Sequence, residues 1–89
     1  MKTEPKRYGH DTWWLLCHLR RSLKAEPERR DFPPVHAYNR RRTNSVRRLI
    51  EEGFLTLVRE DTDGSERARI YYTTTPIKIQ QALNNGRLR

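Results

Sequence analysis

Cysteine is almost missing from this chain of 89 residues. Cys17 stands alone, so no internal disulfide can form, and a reducing compartment is the natural expectation. Long apolar runs are missing too: no stretch approaches the roughly 18–20 residues of a membrane span. The first residues lack the apolar core of a secretory signal, and together these absences point to the cytoplasm. Carboxylates are scarce, with 11 Asp and Glu against 19 Lys and Arg, which leaves a formal charge of +8. A surface of that sign suits polyanions, nucleic acid before an anionic membrane. The groups that bind metals are few and scattered. His10, Cys17, His18 and His36 fall into no C-x-x-C or H-x-x-x-H spacing, so neither metal nor cofactor is expected. No glycine-rich phosphate loop and no nucleophile elbow is present, and enzymatic activity is not expected.

Charged residues make up 34% of the chain and apolar residues another 34%, enough for one small domain with a modest core. Residues 1–10 are polar, contain Pro5 and Gly9, and read as a flexible basic arm carrying Lys2, Lys6 and Arg7. Asp11 is a good cap for a helix reaching Lys24, in which Trp13, Leu16, Leu19 and Leu23 recur on one face. Trp13 and Trp14 are adjacent and cannot share that face. One of them is expected to cover the hairpin or to lie at a subunit contact. Ala25–Pro34 is a connector broken by Pro27, Pro33 and Pro34, with Phe32 tucked inward.

The informative stretch runs from Arg40 to Pro76. Five of the nine residues 40–48 are arginine, and no carboxylate occurs between residues 32 and 50. A single helix from Val35 would turn Val35, Asn39, Arg42 and Val46 inward. Burying Arg42 unpaired is costly, which argues for a break near residues 40–43 and for Thr43 as the cap of a shorter helix, Asn44–Glu52. Gly53 then ends that helix. Phe54–Glu60 and Arg67–Thr74 are β-prone runs joined by Asp-Thr-Asp-Gly-Ser-Glu, the composition of a hairpin turn. Ile70 and Tyr72 share one face of the second strand and are the expected core pair. Thr75 and Pro76 signal the start of a short last helix holding Ile77, Ile79, Ala82 and Leu83, and Gly86 ends it. The expected plan is an arm at 1–10, a domain at 11–85 and a basic tail at 86–89.

VRRLIEEGFL, then a short polar loop and RIYYTTTP, resembles the PadR-like and MarR-like winged helix-turn-helix regulators over about residues 43–83. The resemblance implies an α+β fold: a helical core, a C-terminal two-stranded hairpin as the wing, and a short final helix. It also implies binding of double-stranded DNA, with Arg40, Arg41, Asn44, Arg47 and Arg48 on the recognition helix and Arg67 and Arg69 in the wing. Arginine suits that task because its planar fork matches both phosphate oxygens and the guanine edge. Asn44 is the candidate for reading adenine. A small transcriptional regulator, active alone or as a homodimer, is the function expected. Two alternatives stand beside it. One is a winged-helix adaptor or inhibitor of the phage-encoded kind, docking a protein partner through Trp14 or Tyr71; the other is an RNA-binding module using the same basic face.

Overall fold

A computed structural model describes residues 5–61 and 68–89. The described residues form a small α+β fold in which three helices carry the core and two small sheets close it. In order, the elements are β1 (Lys6–Tyr8), α1 (His10–Ala25), β2 (Val35–His36), α2 (Arg40–Glu51), β3 (Thr56–Asp61), β4 (Arg69–Thr73), α3 (Pro76–Asn85) and β5 (Gly86–Leu88). One sheet is antiparallel with strand order β2-β4-β3; the other is a parallel pair, β1 with β5. No helix among the described residues is long and apolar enough to cross a membrane.

The cap of α1 lies two residues earlier than expected, at Gly9 rather than Asp11. Asp11 lies instead in the first turn, where a negative charge complements the helix dipole. Leu15, Leu16, Leu19 and Leu23 are buried, and Trp13 packs on the core while Trp14 points outward, 53% exposed. Pro27 follows soon after the helix stops. The connector beyond it forms neither helix nor strand until Val35, and Phe32 is buried within it.

The start of α2 corrects the sequence reading. The helix begins at Arg40, not Asn44, because the Asn39 side chain caps it by accepting from the Arg42 backbone N–H at 3.2 Å. Thr43 is a buried interior residue whose hydroxyl donates to the His36 carbonyl at 3.1 Å. Val35 and His36 are strand rather than helix, so the inward phase of α2 runs through Thr43, Val46 and Leu49. Arg42 is thereby turned to the surface, and the expected burial cost does not arise. Gly53 ends the helix at φ +85°, and the Phe54 N–H donates to the Leu49 carbonyl at 2.9 Å. Only glycine adopts that left-handed conformation without strain.

The hairpin is present and is wider than expected, since β2 joins β4 through Val35 opposite Ile70. Ile70 and Tyr72 face the core as anticipated, with Phe32 stacked on Tyr72 at 6.0 Å between centroids. β3 is the longer of this sheet's two edge strands. Its register slips between Leu57 and Arg59, a bulge of the kind that discourages edge-to-edge pairing. The loop expected at the tip, with Arg67, lies outside the described residues, as do residues 1–4 of the expected arm. The Thr75 side chain caps α3 with Pro76 in the first turn, as read from the sequence.

The ends of the described chain depart most from expectation. Lys6–Tyr8 and Gly86–Leu88 are not arm and tail but parallel partners, Lys6 opposite Gly86 and Tyr8 opposite Leu88. The Tyr8 ring is completely buried. Its hydroxyl donates to Glu52 Oε1 at 2.7 Å, and the Arg48 guanidinium lies over the ring at 4.4 Å. Gly86 must be small for this ring to fit: a Cβ there would come 2.8 Å from Tyr8 Cδ2 and 2.9 Å from the Ala82 carbonyl oxygen.

Gly86→Ala is therefore expected to destabilise the fold by about 1–3 kcal/mol, the usual cost of overpacking, as read by urea denaturation. Burial and the neighbouring Glu52 carboxylate hold the Tyr8 hydroxyl well above its ordinary value. The unfolded chain ionises this group near pH 10 while the folded chain retains the proton, so the stabilisation is complete below pH 10 and is lost as pH rises above it. Tyr8→Phe should be less stable at neutral pH. Its stability should then fall less steeply than wild type above about pH 10, by up to about 1.4 kcal/mol per pH unit, in denaturation curves from pH 8 to 11.

Candidate nucleic-acid interface

The exposed side of α2 is set by its buried side. With Thr43, Val46 and Leu49 inward, helical geometry puts Arg40, Asn44, Arg47 and Glu51 along one outer stripe and Arg41 beside it. A buried chain of hydroxyls locks this rotation. Thr12 on α1 donates to Ser45 Oγ at 2.8 Å, and Ser45 donates to the Arg41 carbonyl at 3.0 Å. The stripe is polar along its length: basic at its N-terminal half, acidic at Glu51.

The expected site residues divide into two groups. Arg40, Arg41 and Asn44 are exposed, and neither arginine is ion-paired with another described residue. Arg47 and Arg48 are already engaged. Arg47 pairs with Glu60 of β3, which lies opposite Ile70 on the side of the hairpin that faces α2. That ion pair ties the recognition-helix candidate to the hairpin. Arg48 reaches back across Tyr8 and pairs with Glu52 at 3.5 Å, where Lys6 also arrives at 3.2 Å. Arg48 thus braces the base of α2 more than it faces outward.

On the far face of the hairpin, Arg59 lies over the Tyr71 ring at 4.2 Å and pairs with Asp61 at 3.4 Å. Arg59 and Arg69 together hold the Tyr71 hydroxyl below its ordinary value, since both guanidinium groups favour the phenolate. Arg69, exposed on β4 opposite Asp61, belongs to this cluster rather than to the α2 stripe. The two expected basic regions therefore occupy different faces. Among the described residues, no three His, Cys, Asp or Glu side chains come together as metal ligands would.

Two pairings at this end of the molecule do not follow from the sequence pattern. Arg42 is not a buried charge: its guanidinium lies over the exposed Trp14 ring at 5.1 Å. Trp14 also stacks on His18, one turn along, at 5.1 Å and 4°. The available signal is Trp14 and His18 at i and i+4, both off the leucine face of α1.

Arg48→Ala should cost about 1 kcal/mol, because it removes the cation over the Tyr8 ring and a partly exposed ion pair. That corresponds to a melting point lower by about 4–8 °C in a domain of this size. Arg41→Ala, at an exposed position with no ion pair among the described residues, should stay within about 0.5 kcal/mol of wild type in the same thermal denaturation. No protein-family model, no curated protein and no solved structure matches this chain.

Proposed function

We propose that this chain is a winged-helix DNA-binding domain that presents the N-terminal half of α2 to the major groove and serves as a small transcriptional regulator. The observation that carries the proposal is the Arg40, Arg41 and Asn44 cluster at the outward N-terminal end of α2. It is exposed and free of carboxylate partners among the described residues, and it stands beside a hairpin tied to the same helix through Arg47 and Glu60. The element order of helix, strand, helix and hairpin is compatible with that architecture. One departure is plain: only residues 37–39 separate β2 from α2, so no additional helix precedes the recognition helix.

In this reading Arg40 and Arg41 neutralise phosphates flanking the groove, and Asn44, one turn further in, meets a base edge. The first turn of α2 adds backbone N–H groups and the positive end of the dipole, both favourable to phosphate. Arg47 keeps its pairing with Glu60 and so holds the hairpin beside that surface. Glu51 and Glu52 disfavour phosphate at the other end of the helix, so docking is polar and uses the N-terminal half. Arg69 lies on the outer face of the hairpin, and it reaches DNA only if the wing lies along the backbone.

A protein-interaction reading has one observation in its favour: Leu57 and Val58 on β3 and Ile77 on α3 are exposed apolar side chains. The RNA reading shares the basic stripe and is separated from the DNA reading only by substrate.

The test is fluorescence anisotropy with labelled random-sequence duplex DNA and RNA across a salt series. Wild type should bind duplex DNA, with affinity falling steeply between about 50 and 200 mM salt. The double variant Arg40→Ala, Arg41→Ala should bind at least tenfold more weakly and show a salt slope shallower by about 2, one for each phosphate no longer neutralised. Undetectable DNA binding at about 50 mM salt would overturn the reading in favour of a protein partner.

A further inference from the structure

Between α1, the connector that follows it, the start of α2 and β4 lies a cleft of about 270 Å³. Buried Leu15, Leu19 and Val35 reach its lining from the core, and Trp14, Phe32 and Tyr72 supply aromatic walls. Its size sits just under the roughly 300–1,000 Å³ of sites for drug-sized molecules, suited to a single ring system rather than an extended ligand.

The charges around it are distinctive. Arg29 lies over the Phe32 ring at 5.4 Å and Arg42 over the Trp14 ring at 5.1 Å. Neither guanidinium is ion-paired with another described residue; burial holds the Tyr72 hydroxyl above its ordinary value, and both guanidinium groups oppose that rise only in part. Among the described residues Asp11 is the one carboxylate in the lining, and His18 stands beside Trp14. Flat apolar walls together with two guanidinium groups that have no carboxylate partner among the described residues, Arg29 donating only to the Asp31 carbonyl, select a ligand that has a π-face and an anionic group a few bonds away. A nucleotide has that chemistry. Arg42 and Ser45 place the cleft at the N-terminal end of α2, next to the turn proposed to meet DNA but on the side of the helix that faces α1.

We propose that this cleft receives one unstacked nucleotide of a bound strand, with its base against Trp14 and its phosphate between Arg42 and Arg29. The inference rests on the DNA-binding reading and gives it a substrate preference: duplex bearing an unpaired nucleotide over perfect duplex. Arg42 occupies the Trp14 ring through a solvent-exposed cation–π contact and exchanges it for a charge-assisted bond to phosphate as the base stacks. Aromatic stacking is tolerant of base identity, so the preference is for an extruded base of any kind.

The test compares two labelled hairpin DNAs, one fully paired and one carrying a single extra unpaired nucleotide at its centre. Wild type should bind the bulged hairpin roughly fivefold or more tightly than the paired one, within what one stacked base contributes. Trp14→Ala should abolish that difference while leaving affinity for the paired hairpin within about twofold, and Trp14→Phe should restore it in part. Trp14 is exposed, and circular dichroism of the variants checks that the fold is kept. Arg42→Gln should lower the preference while changing the paired affinity by no more than removal of a single phosphate interaction does. Equal wild-type affinity for the two hairpins overturns this inference alone. An equal loss of affinity for both hairpins in Trp14→Ala does the same, and so does saturable binding of a glutamate-rich, phenylalanine-containing peptide in the cleft with no bulge preference. Failure to bind either hairpin overturns this inference and the DNA-binding reading together.

Discussion

The burial of one tyrosine organises the lower half of this molecule. Tyr8 comes from a three-residue strand, yet its ring is wholly enclosed and its hydroxyl meets Glu52 at the foot of α2. Glu52 gathers Lys6 and Arg48 around the same point. A phenol in such a place satisfies two demands together: its ring fills core volume and its polar end has a charged acceptor. Because Gly86 supplies the space for the ring, β5 and the end of α3 depend on the same contact.

That arrangement also decides which arginines are left for other work. The run from Arg40 to Arg48 looks uniform in sequence, but each end meets a different environment. Glu52 and Glu60 draw Arg48 and Arg47 towards the framework, and Arg42 leans on Trp14. The remaining cations, Arg40 and Arg41, stand on the first turn of the helix. A polar capping residue, Asn39, allows that turn to form although it carries three consecutive positive charges at the positive end of the dipole, a placement unfavourable for the helix alone.

Features with strong local causes are legible in the chain. The leucine face of α1, the glycine stop at Gly53, the Ile70 and Tyr72 pair and the Thr75-Pro76 start of α3 each follow from periodicity, turn chemistry or capping, which need no knowledge of distant residues. The elements that sequence reasoning misplaces lack such causes. β1, β2 and β5 are two or three residues long and exist because a partner strand is present, so no alternation marks them. The start of α2 is misplaced when its phase is carried back from Val35, a residue that belongs to a strand. The division of labour among the arginines is invisible for a related reason, since Glu60, Tyr8 and Trp14 reach them only through the tertiary fold.

The parallel pairing of β1 with β5 also has a kinetic meaning. It joins residues 6–8 to residues 86–88, nearly the full sequence span, whereas the hairpin and the α2 stop are closed by neighbours. Closing so long a loop forfeits chain entropy before any contact compensates for it, and such contacts tend to form late. On that entropy argument the enclosure of Tyr8 is expected to come last, after the helices and hairpin have formed the slot that its ring fills.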